Sequence, residues 1–136
     1  MKLLALALLA TAGLPALLSA QEASAPILIS TPVRYYPKAL QDLPGRVVLQ
    51  FVVSVSGRVD TSSIRVISTT DPHFIDAARF TAVALIYDPG RSKGAAVQML
   101  VQQAISFAPH SQGCRSTITP VLTELCVDSG AVFPGR

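Results

Sequence analysis

The sequence predicts an α+β domain: a small antiparallel three-stranded sheet with two helices on one face, in the order α-β-β-α-β. Three observations lead there. The stretches 46–55 and 94–107 alternate apolar and polar residues, the period-two signature of half-buried strands. Between them, "DPHFIDAARFTAVALIYDPG" repeats its apolar residues at helical spacing. Glycine and proline punctuate the junctions.

Taken in order, residues 1–20 have the layout of a secretory signal peptide. One lysine precedes an apolar run from Leu3 to Leu18 that Pro15 interrupts, and Ser19 and Ala20 lead to a polar exit. Cleavage is expected between Ala20 and Gln21. An uncleaved membrane anchor is the other reading, because the run approaches bilayer-spanning length. Residues 21–33, with Pro26 and Pro32, read as an extended arm. A domain over 34–108 and a tail over 109–136 follow.

The domain opens with "YYPKALQDLPG". Pro37 suits the first position of a helix, Ala39, Leu40 and Gln41 extend it, and Pro44-Gly45 stop it. One or two turns packed through Leu40 are expected. In the next strand Val47, Leu49, Phe51, Val53 and Val55 face one way, against Arg46, Gln50 and Ser54. Ser56-Gly57 makes the turn, and Ile64 and Val66 belong to the return strand. The polar Asp60–Ser63 predicts a bulge or loop before pairing resumes.

Asp71 then caps a helix that has Pro72 at its first position. Phe74, Ala77, Ala78, Thr81 and Leu85 should lie on the sheet. Phe80, Val83 and Tyr87 form a second apolar stripe, which either sinks beneath the tail or serves as a second partner face. Asp88-Pro89-Gly90 ends the helix, and "GRSKGAA" reads as a loop. In the last strand Val97, Met99, Val101, Ile105 and Phe107 face inward, with Gln98, Gln102 and Ser106 opposite.

Cys114 and Cys126 stand in the tail without a neighbouring histidine and without C-x-x-C spacing, so neither a zinc site nor a redox pair is indicated. In an exported chain a structural disulfide is the default, with free thiols the alternative. The formal charge is only +3, and eight arginines are scattered along the chain, which argues against nucleic-acid binding. No catalytic constellation assembles. His73 and His110 lie in different elements, and the nucleophile elbow and phosphate-loop motifs are missing. No enzyme activity, metal or cofactor is expected.

The run of Tyr36-Pro37, Ala39, Gly45 before an alternating strand, the Gly57 turn with Val59, Ala77-Ala78, Tyr87-Asp88-Pro89, and a Gly94-led strand closing on Phe107 resembles the C-terminal domain of the TonB energy-transducer family. No single motif carries this; their order and spacing over residues 35–107 do. The resemblance implies a periplasmic protein, inner-membrane anchored if the leader is retained, acting in transport across the outer membrane. It implies a partner, the box peptide of a TonB-dependent receptor, added as a strand beside Val97, Gln98, Met99, Leu100, Val101, Gln102 and Gln103. Leu85-Ile86 replace the family's Trp-Arg pair, the long proline-rich arm is missing, and the cysteine-bearing tail is extra. Nothing in Val97–Gln103 guards an edge, since the span has neither charge nor proline. Three occupants are therefore open: a peptide, a second copy in a self-associating structural protein, or the chain's own tail.

Overall fold

The computed structural model describes residues 23–32, 34–118 and 123–129. The expected signal peptide, residues 1–20, lies outside the described residues, and among those described no helix is long and apolar enough to cross a membrane. At the centre is strand β2 (Gly45–Val53), whose alternation buries Val47, Leu49, Phe51 and Val53 on one face. On one side β2 pairs antiparallel with β3 (Arg65–Thr69), and on the other with β7 (Met99–Ala108). β7 then pairs in parallel with β9 (Thr123–Asp128), and β9 antiparallel with β8 (Thr117–Ile118). The result is a five-stranded mixed sheet in the order β3-β2-β7-β9-β8.

This corrects the expected fold, a three-stranded antiparallel sheet with two helices. The tail, read as an appendage, supplies two further strands, and one of them is parallel. Of the two helices only α1 (Ile75–Val83) forms, entered through a 3-10 turn at Pro72–Phe74. Asp71 starts that turn, its carboxylate accepting the His73 backbone N–H at 2.9 Å. Phe74, Ala77, Ala78, Thr81, Ala82 and Leu85 are buried, and the alanines let the helix sit close on β2.

The other expected helix is a single 3-10 turn, Lys38–Leu40. Its start has no side-chain cap, and Pro44 soon forbids continuation. Tyr36 anchors this segment instead. Its ring meets Phe74 and Phe107 edge-on at 5.9 and 5.6 Å, and its hydroxyl donates to the Leu43 carbonyl. Phe74 and Phe107 stack at 4.7 Å, so three aromatics tie the turn, the helix start and β7 together.

The polar stretch after the Gly57 turn is a 3-10 turn at Thr61–Ser63, capped by Asp60. The Ser63 hydroxyl accepts the Val52 N–H at 2.8 Å, where a strand carbonyl would otherwise stand. Helix α1 ends at Val83, so residues 86–88 leave the expected helix and form β4 (Ile86–Asp88), antiparallel to β1 (Ile27–Ser30). The expected arm thus contains a strand, and Leu28, opposite Tyr87, enters the core. Gly57 makes this layer possible. It holds φ +80°, and a Cβ there would lie 1.9 Å from the Tyr87 carbonyl oxygen. The Tyr87 N–H also donates to the Gly57 carbonyl at 2.9 Å. The "GRSKGAA" loop contains a small hairpin of β5 (Arg91–Ser92) and β6 (Ala95–Ala96), turned by Lys93 and Gly94 at φ 55° and 79°.

Candidate functional site

The expected last strand divides in three. Val97 is already engaged, its N–H donating to the Gly90 carbonyl at 2.8 Å, and Gln98 is exposed ahead of β7. That bond to the loop keeps Ala95–Phe107 from being one continuous strand. From Met99 onward the chain pairs with β2 in an unbroken register, Met99 with Val53 through Phe107 with Gly45.

The opposite edge of β7 has two halves. Along Ala104–Ala108 it carries β9, with Ala104 beside Glu124 and Ala108 beside Asp128. Along Met99–Gln103 no strand pairs with that edge among the described residues. In this open half Met99 lies over Gly90, where a Cβ would come within 2.5 Å of the methionine sulfur. Val101 packs against the core, whereas Leu100 is 60% exposed on the uncovered face of the sheet. Gln102 lies on the same outer face. Among the described residues this half therefore offers a strand edge with apolar side chains on both faces and no charge.

Gln103 marks the boundary. It is 1% exposed, and its side chain is fully engaged. Its Oε1 accepts from the Tyr87 hydroxyl at 2.9 Å, while Nε2 donates to the carbonyls of Ala104 at 2.9 Å and Thr123 at 3.0 Å. Burial raises the Tyr87 phenol well above its ordinary pKa, so it stays a proton donor. The amide thus fixes the start of β9 against β7. The sequence carried a signal for this: Gln103 occupies an inward position between Val101 and Ile105, where an apolar residue belongs.

On the outer face of the covered half, Glu124 accepts from the Ser106 hydroxyl and from Arg46 Nε at 3.2 Å. The Ser106 bond first, then Arg46, holds its carboxyl below the usual glutamate range. At the far end the Ser129 N–H donates to the Ala108 carbonyl at 3.2 Å, and the His110 ring contacts Asp128 at 3.0 Å. Cys114 and Cys126 form the disulfide. It closes a loop inside the tail and does not bond the tail to the domain.

The second candidate face divides as well. Phe80 and Val83 are exposed, 53% and 49%, with Phe80 set edge-on to Tyr35 at 5.6 Å. Tyr87 is not part of it, because β4 turns that ring into the core against Phe51 and Gln103. His73 is exposed and contacts Asp71 at 2.7 Å, and His110, after the end of β7, contacts Asp128 at 3.0 Å. Among the described residues no three His, Cys, Asp or Glu side chains cluster as a metal site.

No family model matches this sequence, and no curated protein does.

Proposed function

We propose that this chain is an exported protein-binding module that takes an extended peptide as an added strand on the Met99–Gln103 edge of β7. The observation that carries the reading is the half-covered edge: the same strand already accepts one added strand along Ala104–Ala108 and, among the described residues, has no strand beside it immediately before. Backbone hydrogen bonds would supply affinity there, and the alternation of Met99 and Val101 against Leu100 and Gln102 would set register. The resemblance to the TonB C-terminal domain makes the box peptide of an outer-membrane receptor the leading partner class, and transport across that membrane the process served.

Titrating the isotopically labelled protein with receptor box peptides tests this. Amide shifts concentrated on Met99–Gln103 are expected. Unchanged resonances there at saturating peptide would overturn it. The second reading, self-association through the same edge, rests on the lack of any charge or proline across Met99–Gln103. It requires the sedimentation mass to rise with concentration, and a mass that stays monomeric removes it.

A further inference from the structure

The covered half of the edge carries information about what the edge binds. β9 is an added strand already in place, and its residues show what that position demands. It runs parallel to β7 and sets Leu125 beside Ile105 and Val127 beside Phe107, all four buried. Glu124 lies on the other face and collects the Ser106 hydroxyl and the Arg46 guanidinium. β8, which continues the sheet beyond β9, contributes two of the described residues, Thr117 and Ile118. The disulfide closes the tail on itself, so the tail is held to the domain by pairing, packing and its tether alone.

We propose that β9 is a resident, displaceable occupant of the partner site, so that the complete site is the whole Met99–Ala108 edge. The partner it fits is an extended segment with two apolar residues two positions apart, preceded directly by an acidic residue. The proposal rests on the strand-addition reading and goes beyond it, because it names a longer site, a ligand pattern and an internal competitor. The disulfide strengthens that competitor. With it intact, Cys126, opposite Ser106, is tethered to the end of β7 through residues 109–114 alone. Opening it adds the 12 residues that separate the cysteines, a roughly threefold lengthening. Loop-closure entropy then lowers the effective concentration of β9 at its own site by about fivefold. Opening by a dithiol is balanced: one protein disulfide becomes two thiols as one dithiol becomes its own disulfide.

The probe is the capped peptide Thr-Glu-Leu-Ser-Val-Asp, which copies Thr123–Asp128 with serine for cysteine. It is titrated into the oxidised full-length protein, the dithiol-reduced protein and the C114S/C126S double variant, with amide shifts as readout. Binding up to about fivefold tighter in the two opened forms is expected, with shifts over the displaced Thr123–Asp128. The same peptide with glutamine for glutamate should bind more weakly. Equal affinity in all three forms, or no shift at Thr123–Asp128, overturns the proposal. Neither result touches the strand-addition reading, which is decided by receptor peptides at Met99–Gln103. Loss of amide protection at Leu49 and Phe51 in the double variant also overturns it, because β9 would then be part of the core and no removable occupant.

Discussion

The two halves of β7 share one backbone, one register with β2 and one alternation, yet among the described residues one half of the outer edge carries a strand and the other does not. In the covered half Ile105 and Phe107 point into the core and find Leu125 and Val127 beside them. In the open half Met99 and Val101 are only half-buried, and Gln103 closes the series with a polar group. The strand does not decide its own coverage; the presence of a neighbour with matching apolar residues does. An edge of a single strand thus carries a neighbour at one end and, among the described residues, none at the other.

Breaking the covered half should have the largest effect. Phe107→Ala removes a ring that stacks on Phe74 and meets Tyr36, and should cost about 3–5 kcal/mol in urea unfolding. Val101→Ala, in the half-buried open part, should cost well under half of that. Equal losses would erase the distinction between the halves. Leu125→Ala, which removes the core contact of β9 beside Ile105, should cost roughly 2–5 kcal/mol. If β9 is a separable neighbour, hydrogen exchange in that variant should speed up first at Val127 and last at Leu49.

The boundary comes next. Tyr87→Phe keeps the ring against Phe51 but leaves Gln103 Oε1 without its donor at 2.9 Å. An unsatisfied buried acceptor costs about 1–3 kcal/mol, and calorimetry should show a loss in that range. The loss should come with faster exchange at the start of β9, because the amide is then held only by its Nε2 bonds to the Ala104 and Thr123 carbonyls. Leu100→Lys sharpens the comparison from the open side. The residue is exposed, so stability should change by no more than about 0.5 kcal/mol. A lysine on an open edge opposes strand addition, so peptide binding at Met99–Gln103 should fall in the same variant.

What the sequence made legible follows from where the signal resides. Alternation identified Val47, Leu49, Phe51 and Val53, and helical spacing identified Phe74, Ala77, Ala78, Thr81 and Leu85, all buried; Val55, expected on the same face, lies past the end of β2 and is exposed. Those patterns are long and local, so they survive being read without partners. β9 and β1 are short, and each is a strand because of a distant neighbour: β7 in one case, β4 in the other. Their residues carry no periodicity long enough to declare it, and the cysteine in "TELCVD" drew the reading toward a disulfide tail. Tyr87 was misplaced for a related reason. Nothing in "FTAVALIYDPG" marks the helix end at Val83, which is set by the pairing of residues 86–88 with β1.

The smallest expected effect probes the covered half by pH. Glu124 is held below the ordinary glutamate range by Ser106 and Arg46, both on the sheet that β9 joins. A carboxyl with a depressed pKa in the folded state contributes stability that is fully present above its unfolded value, about 4.3, and is lost as pH falls through the lower folded value. From neutral pH down to the middle fours, the protection of the Leu125 and Val127 amides should therefore hold constant. Below that it should fall, ahead of protection at Leu49 and Phe51, because the lost bonds join β9 to its neighbours. Glu124→Gln should start with weaker β9 protection at neutral pH and lose the acid-dependent step. A step that persists in the glutamine variant would assign the pH response to another group, and the outer-face bonds would then not be what distinguishes the covered half in acid.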